Sequence, residues 1–387
     1  MSPNTSLSIP FFKPHLGRKE VCAIKRVIHS NWLTTGPETL AFEKEFAAFL
    51  GRDGADSWAL AVNSATAGLH LALEALGIGA GDRVAVPTMT FSATAAGIRY
   101  LGAEPVFIDS LPNNGNISPE GLYKERKNLK AVILVHLAGN PCRLEDIRNA
   151  LPNSVIIIED AAHAFPSRGT EGMAGTLGDI GVFSFYATKT ITTGEGGMVV
   201  GRDSEIYERI RVTRLHGINS AIWNRYSTQA KARSWEYDVI KLGFKYNLTD
   251  LAAAIGRVQL TKADQLLTMR TEQALRYSQG LANLAGLSLP ENNAGHAWHL
   301  YILKLDSREL RDRLNQRLYH EGIGTSVHFI PLHRMSYWKK TLNLSSHDFP
   351  IAENLADRIL SIPLWPGLKR KDQERIIGVI RQELHGR

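Results

Sequence analysis

The sequence predicts an α/β protein: a large domain with a mostly parallel sheet, followed by a smaller C-terminal α+β domain. Between residues 59 and 160, short and strongly apolar segments alternate with segments of helical spacing. Strands that are apolar throughout, such as 131–135 and 154–160, are typical of a parallel sheet covered on both faces. In such folds, ligands bind beyond the carboxyl ends of the strands.

The predicted elements of the large domain follow one another in a regular order. Residues 59–76 are predicted to form a short strand, a turn and a helix, because Leu69, Leu73 and Leu76 keep helical spacing. A strand is predicted at 82–91, followed by the helix ATAAGIRYLG and the strand EPVFID. Two further strands are KAVILVHLAG and SVIIIED, with the helix LEDIRNAL between them.

The pattern changes at Thr249, which is predicted to cap one or two long helices. After these helices, residues 297–306 and the segment TSVHFI indicate a smaller unit that mixes helices and strands. The domain boundary is predicted near residue 260, which divides the chain into 1–260 and 261–387.

Composition narrows the class of protein. The chain has 387 residues, of which 44% are hydrophobic and 21% charged, as in ordinary globular proteins. Its two cysteines, Cys22 and Cys142, form neither a disulfide framework nor a metal-finger spacing, so we expect a reducing compartment and no metal. The apolar runs are too short to span a membrane and no signal peptide is visible, so we expect a cytoplasmic protein without membrane insertion.

The net charge of +7 is mildly basic, and an ordinary solvated surface accounts for it. The lysines and arginines of 311–317 and 369–375 are mixed with acidic residues or spread along helices, rather than clustered into the stripe typical of nucleic-acid binding. No nucleic-acid partner is therefore expected. A basic balance also suits an anionic small substrate such as a nucleotide diphosphate.

Two charged side chains follow strands of the predicted sheet. Asp160 ends the apolar strand of IIIEDAAHAF, and Lys189 follows the strand GVFSF. Pyridoxal phosphate needs a lysine that binds its aldehyde and a carboxylate beside its pyridine nitrogen. Alone, a lysine is usually a solvated charge, and an aspartate in this place can cap the next helix. Together the two residues indicate a site for pyridoxal phosphate.

Two further segments fit the same cofactor. The segment NSATAG (63–68) lies at a strand-to-helix junction, where free backbone N–H groups and small hydroxyl side chains can bind a phosphate. Phe91 follows the next strand and could offer its aromatic face to a planar ring, although a core position is commoner for such a residue.

The order of these segments resembles the nucleotide-sugar aminotransferases of the pyridoxal-phosphate fold-type I class. The likeness extends over nearly the whole chain and includes NWLTTGPETLAFEKEFAAFLG, VPTMTFSATAAGI, VHLAGNPCRLEDI, GDIGVFSFYATKTITTGEGGMVV, GFKYNLTDLAAAIGRVQL, HAWHLYIL and GIGTSVHFIPLH. Several blocks are most similar to family members that aminate UDP-4-keto-arabinose for lipid A modification. The resemblance implies the fold-type I architecture and a homodimer whose active sites are each built from two chains.

The resemblance also assigns roles to individual residues. Lys189 would hold the cofactor covalently and then move a proton, and Asp160 would pair with the pyridine nitrogen. His163 would lie near the phenolic oxygen of the cofactor, although a core histidine with satisfied hydrogen bonds is the alternative. The other implied cofactor contacts are Ser64, Ala65 and Ser184 at the phosphate and Phe91 stacked on the ring. Candidates on the substrate side are Thr35, Glu195, His328 and His333.

One segment departs from the commoner family pattern, Gly-Tyr-Asn-Tyr-Arg. Here the segment reads GFKYN, so that Lys245 stands where the family has asparagine and Asn247 where it has arginine. The family asparagine is expected to reach the cofactor phosphate of the neighbouring subunit. Lys245 could do the same as a point charge.

The resemblance implies an aminotransferase that moves an amino group from L-glutamate to a keto group of a nucleotide-linked sugar. The product would serve envelope polysaccharide, lipid A or related amino-sugar biosynthesis. Two alternatives remain. Sugar dehydratases of the same family carry histidine in place of the lysine, and Lys189 argues against them. A regulatory binding protein is compatible with the charge, but no helix-turn-helix with a basic recognition helix is visible.

Overall fold

The computed structural model describes residues 8–51, 57–219, 237–293 and 295–385. Within these ranges the helices are α1 (Arg18–His29), α2 (Pro37–Leu50), α3 (Ala65–Ala75), α4 (Ser92–Tyr100), α5 (Pro119–Glu125), α6 (Leu144–Ala150), α7 (Ser204–Thr213), α8 (Asp250–Leu260), α9 (Ala263–Gly280), α10 (Arg308–His320), α11 (Ser336–Leu342), α12 (Pro350–Arg358) and α13 (Arg370–His385). The strands are β1 (Trp58–Val62), β2 (Arg83–Pro87), β3 (Glu104–Ile108), β4 (Leu129–Val135), β5 (Ile156–Asp160), β6 (Arg168–Gly169), β7 (Gly172–Met173), β8 (Ile180–Ser184), β9 (Gly197–Gly201), β10 (Leu287–Ser288), β11 (Tyr301–Leu305) and β12 (Ile359–Ile362).

The central sheet of the described residues has seven strands in the order β1-β9-β8-β5-β4-β2-β3. The strands β3, β2, β4, β5 and β8 pair in parallel, and β9 pairs antiparallel with both of its neighbours. The predicted α/β fold with a mostly parallel sheet is therefore confirmed.

Both faces of this sheet are buried, which explains why its strands are mostly apolar. Ile157 and Ile158 are adjacent in β5, yet they belong to hydrophobic clusters on opposite faces, because successive side chains of a strand point to opposite sides. The aromatic rings of Phe42 and Phe46 in α2 pack against Phe183 and Phe185, so the N-terminal helices also cover the sheet.

Two glycines allow the close approach of α3 to the sheet. A Cβ atom on Gly68 would lie 2.7 Å from Cγ1 of Val182, and one on Gly197 would lie 2.7 Å from the backbone nitrogen of Ala65. Because α3 begins directly after β1, these contacts fix its N-terminus at the edge where the parallel strands end.

A second sheet has the order β10-β11-β12, and both pairings are antiparallel. Its hydrophobic cluster includes Tyr277, Tyr301, Leu314 and Ile380, which join it to α9, α10 and α13. Other C-terminal residues, among them Trp338, pack into the cluster of the central sheet. The division of the chain at residue 260 stays a prediction.

Several element bounds differ from the sequence prediction. The strand predicted over 82–91 covers only Arg83–Pro87, and the two long helices meet at a break over Thr261 and Lys262. The segment TSVHFI forms only an isolated bridge between Ser326 and Ser361. No helix of the described ranges is long and apolar enough to cross a membrane.

Candidate active site

A cavity of about 520 Å³ opens at the edge of the central sheet where the parallel strands end. Ser64 follows β1, Asp160 ends β5 and Ser184 ends β8, so three strands deliver side chains to one place. The sequence-predicted residues that line this cavity are Ser64, Ala65, Phe91, Asp160, His163, Ser184, Lys189, Glu195 and His328.

Lys189 lies in the turn after β8, where its backbone N–H donates to the carbonyl of Tyr186 over 2.9 Å. Burial lowers the pKa of the Lys189 ammonium to about 8, although the negative charge of Asp160 acts in the opposite direction. Near neutral pH, the chain therefore holds a much larger fraction of neutral amine here than a solvated lysine does. A neutral amine is the form that attacks a carbonyl carbon.

Asp160 is only 6% exposed. The hydroxyl of Thr94 donates to its Oδ2 over 2.8 Å, and the backbone N–H of Ala162 donates to its Oδ1 over 3.1 Å. Burial raises the pKa of the Asp160 carboxyl, while these two hydrogen bonds and the charge of Lys189 act against that shift. The cavity thus contains a carboxylate whose two oxygens are each held by one donor.

The adjacent Glu159 has a different surrounding, because it points to the other face of the strand. Its Oε2 accepts hydrogen bonds from His136 Nε2 (2.9 Å) and the Gly175 amide (2.7 Å), and its Oε1 accepts from the amides of Leu177 (2.7 Å) and Gly178 (2.6 Å). Burial alone would raise the pKa of Glu159, but these hydrogen bonds lower it. These hydrogen bonds to Glu159 hold the loop before β8 in place, a role that was not predicted from the sequence.

The N-terminus of α3 forms a second part of the cavity wall. Ser64 is its N-cap, and its hydroxyl accepts from the Ala67 amide over 3.1 Å. Ala65 and Thr66 also line the cavity, and the first amides of a helix have no partner within it. Ser184, whose hydroxyl accepts from the Tyr186 amide over 3.3 Å, lies at the same cavity. This combination suits a phosphate dianion.

Aromatic and imidazole rings complete the wall. Phe91 is the N-cap of α4, lines the cavity and is 63% exposed. The rings of His163 and His299 lie 4.4 Å apart, and the Nδ1 atom of each is buried without a hydrogen-bond partner. Burial and the charge of Lys189 lower the pKa of His163 well below its usual value, so its imidazole is neutral. His299 was present in HAWHL but was not singled out from the sequence.

His328 also lines the cavity, and its Nδ1 lies 2.9 Å from the hydroxyl of Ser361. Burial and the charge of Lys189 lower the pKa of the His328 imidazole to about 4. Glu195 is an exposed residue at the mouth of the cavity. Both substrate-side candidates are therefore placed where a bound substrate could contact them.

The structure does not bring His333 to this cavity. Its ring is buried between other partners: Nδ1 lies 2.7 Å from the hydroxyl of Thr88, Nε2 lies 2.6 Å from Glu353, and the ring stacks on Phe349. Both ring nitrogens are thus engaged by Thr88 and Glu353. His333 therefore does not line this cavity, and its contact with the substrate stays a prediction.

Thr35 and Asn247 also lie outside the cavity wall. The Asn247 side-chain amide donates to the Thr35 hydroxyl over 2.7 Å, and that hydroxyl donates to the Leu248 carbonyl over 2.5 Å. Lys245 is exposed, and its backbone carbonyl accepts from the Asn63 side chain over 3.3 Å. Lys245 therefore lies beside the start of α3, and its contact with a partner's phosphate stays a prediction.

The donor set fits pyridoxal phosphate. One cavity presents an amine of lowered pKa, a buried carboxylate, a helix N-terminus with two serine hydroxyls, an exposed aromatic ring and a histidine nitrogen that lacks a partner. Within the described ranges, no group of three or more His, Cys, Asp or Glu residues could hold a metal ion. The fold and this cavity together are those of a pyridoxal-phosphate-dependent transferase.

Comparison with known proteins gives the family. Residues 14–381 match the DegT/DnrJ/EryC1/StrS aminotransferase family, and the chain belongs to it. It is 42% identical to the spore coat polysaccharide biosynthesis protein SpsC of Bacillus subtilis (strain 168), over 98% of this chain and 97% of that protein.

Solved structures agree with this assignment. The putative sugar aminotransferase Spr1654 from Streptococcus pneumoniae, in its PMP form, is 28% identical and superimposes with a TM-score of 0.88 over 98% of this chain and 100% of its own. PseC of Helicobacter pylori, an aminotransferase involved in the biosynthesis of pseudoaminic acid, is 26% identical with a TM-score of 0.88 over the same shares.

The family and the PLP and PMP forms of the neighbouring structure identify pyridoxal phosphate as the cofactor and the chain as a sugar aminotransferase of this family. The comparisons do not confirm the narrower resemblance to the enzymes of lipid A modification.

Proposed function

We propose that this chain transfers an amino group from L-glutamate to the keto group of a nucleotide-linked sugar. The observation that carries the proposal is the meeting of Lys189, Asp160 and the N-terminus of α3 in one cavity. Bound pyridoxal phosphate supplies a ring that accepts electrons when a proton leaves the carbon next to the amine.

Lys189 has two tasks in this proposal. Its neutral amine binds the cofactor aldehyde, because a pKa of about 8 leaves that form accessible near neutral pH. With cofactor and donor bound, Nζ would be a free base within the cavity and would take the proton from Cα of glutamate. In the second half-reaction it would deliver a proton to the sugar carbon that receives nitrogen.

The other residues bind and orient. Asp160, held by Thr94 and Ala162, would pair with the ring N–H of the cofactor. Ser64, Ala65 and Ser184 hold its phosphate with hydroxyl and backbone N–H groups.

Two rings complete the cofactor contacts. The exposed ring of Phe91 would stack on the cofactor ring. We assign to the unpartnered Nδ1 of His163 a hydrogen bond with the phenolic oxygen. A neutral imidazole can serve either as donor or as acceptor there.

The substrate class rests on chemistry and on relatives. A net charge of +7 favours an anionic nucleotide diphosphate. We assign contacts with its sugar to Glu195 and His328, because both residues line the cavity. SpsC and PseC are described as proteins of spore coat polysaccharide and pseudoaminic acid biosynthesis. Cytoplasmic synthesis of an amino sugar for envelope polysaccharide or lipid A is therefore the proposed setting, and UDP-4-keto-arabinose is one sugar to test.

A homodimer with shared active sites is part of the proposal. The segment that precedes Lys245 exposes four apolar side chains, with exposed fractions of 51%, 57%, 58% and 87%: Tyr237, Val239, Ile240 and Leu242. Such a patch is typical of a contact surface. A second copy would cover it and could bring Lys245 to the partner's phosphate.

The test is a panel of UDP-, dTDP- and GDP-linked 4-keto and 3-keto sugars, each incubated with the cofactor-loaded protein and ¹⁵N-labelled L-glutamate. We expect ¹⁵N in one sugar product and an equal amount of 2-oxoglutarate, with neither in the Lys189→Ala variant. A product that has instead lost an oxygen would support a dehydratase. Absence of any product across the panel would count against the nucleotide-sugar proposal.

A further inference from the structure

Thr94 joins the start of α4 to the carboxylate at the end of β5. Its hydroxyl donates to Oδ2 of Asp160 over 2.8 Å, and its Oγ1 lies 2.9 Å from Oγ1 of Thr90. Thr90 is 0% exposed and Thr94 is 1% exposed. The three side chains therefore form a continuous, buried line of hydrogen bonds that ends on the cavity carboxylate.

The hydrogen bond from Thr94 to Asp160 sets the direction of this line. An ionised carboxylate only accepts hydrogen bonds, so the single hydroxyl proton of Thr94 must point to it. The Thr94 oxygen is then free to accept the proton of Thr90. On the other oxygen of Asp160, the Ala162 amide donates over 3.1 Å. One donor on each oxygen holds the plane of the carboxylate, and aligned hydroxyls strengthen one another.

Two titratable groups also act on Asp160. Lys189 lies at the same cavity, and the backbone N–H of His136 donates to the Asp160 carbonyl over 3.4 Å; charge on either side chain favours the carboxylate. Both groups change charge as they titrate, whereas a threonine hydroxyl does not titrate in the working range. The hydrogen bonds from the Thr90 and Thr94 hydroxyls therefore stabilise the Asp160 carboxylate independently of pH.

We propose that Thr94, supported by Thr90, is a positioning residue that keeps Asp160 ionised and oriented for the ring nitrogen of the cofactor. This inference rests on the proposed function, because it takes Asp160 as the partner of that nitrogen. Phe91 is the N-cap of α4, and Thr94 lies in the first turn of the same helix. The start of α4 therefore positions both an aromatic ring of the cavity wall and the Asp160 carboxylate.

The experiment compares Thr94→Val, which removes the hydroxyl at nearly constant shape, with Thr94→Ser, which keeps it. In cofactor-free protein labelled with ¹³C-aspartate, the carboxyl signal that disappears in Asp160→Asn is titrated by NMR. We expect the midpoint of that signal to rise by about one to two pH units in Thr94→Val, the size of one charge-assisted hydrogen bond, and to return close to wild type in Thr94→Ser.

The loaded protein supplies the second readout. In Thr94→Val, turnover at neutral pH should fall roughly tenfold, the acid limb of the kcat profile should move upward with the NMR midpoint, and KM for the sugar should change little. If Thr94→Val does not fold, Thr90→Val takes its place, with a smaller shift in the same direction.

An unmoved midpoint in the variant that folds, or equal shifts in the valine and serine variants at position 94, overturns the proposal. The NMR titration separates this inference from the proposed function. A wild-type chain that aminates no sugar rejects the function, while the midpoint still reports whether Thr94 holds Asp160 in its ionised form.

Discussion

The two adjacent acidic residues at the end of β5 offer a sharp test. Replacement by the isosteric amide should reduce turnover at Asp160 and reduce the stability of the fold at Glu159. In Asp160→Asn, the amide oxygen can still accept from the Ala162 N–H. The new NH₂ group can donate to Thr94, whose hydroxyl proton is free to turn toward Thr90. Both hydrogen bonds to the side chain at position 160 are retained, so we expect the free energy of unfolding to change by no more than about 1 kcal/mol.

Turnover should respond very differently in Asp160→Asn. An amide has no negative charge to stabilise the protonated pyridine nitrogen, and carbanion formation at the substrate carbon becomes harder. Removal of one strong electrostatic stabiliser typically costs on the order of a hundredfold in rate. We therefore expect kcat to fall about a hundredfold or more, with partial retention of the cofactor through its phosphate and its bond to Lys189.

Glu159→Gln is the matched control. Each carboxylate oxygen of Glu159 accepts two hydrogen bonds, from His136 and Gly175 on one oxygen and from Leu177 and Gly178 on the other. Whichever carboxylate oxygen is replaced by NH₂, the two groups that donated hydrogen bonds to it then face another donor. At about 1–3 kcal/mol for each unsatisfied group, this variant should lose about 2–6 kcal/mol of unfolding free energy.

The two variants are compared by denaturant unfolding and by kcat per folded molecule. We expect Asp160→Asn to lose turnover and Glu159→Gln to lose stability. If Asp160→Asn turns over like the wild type, or if it loses stability as Glu159→Gln does, Asp160 is only a structural acceptor and the reasoning about the cavity fails.

Three more predictions follow from the same site. Lys189→Ala should fold but lose the visible absorption of bound cofactor and all turnover, measured by spectrum and assay; near wild-type turnover would remove Lys189 from the site. The rate of cofactor uptake by the cofactor-free protein should rise with pH around a midpoint near 8 and then level, following the neutral Lys189 amine; a rise that continues toward pH 10 contradicts the lowered pKa. Lys245→Ala should weaken cofactor retention by roughly 1.5–3 kcal/mol, and mixing it with Lys189→Ala chains should restore activity in one site of each mixed dimer; no restoration despite confirmed exchange rules out action across the interface.

Much of the site follows from local sequence and one rule of topology. Apolar strands indicated a parallel sheet, and parallel strands present their carboxyl ends at one edge. Ser64, Asp160 and Lys189 follow such ends, so their meeting in one cavity was predictable without knowledge of the contacts. The different surroundings of Glu159 and Asp160 could also be predicted from the sequence, since neighbouring residues of a strand point to opposite faces.

Other parts of the site depend on contacts between distant segments. His333 is held by Thr88, 245 positions away, and by Glu353, and no local pattern encodes that packing. The sequence around Thr94 indicates only the start of a helix. Its hydrogen bond to Asp160, over 2.8 Å, is visible only in the structure. His299 is brought beside His163 by a chain segment more than a hundred residues further on.

The most direct test of the account is chemical trapping of the cofactor. The loaded protein is treated with borohydride, which makes the bond between lysine and cofactor permanent, then digested and mapped by mass spectrometry. The account predicts one labelled peptide, modified at Lys189, and loss of the label when glutamate is added before the borohydride. Label on another lysine, or label at Lys189 that glutamate does not release, would contradict it.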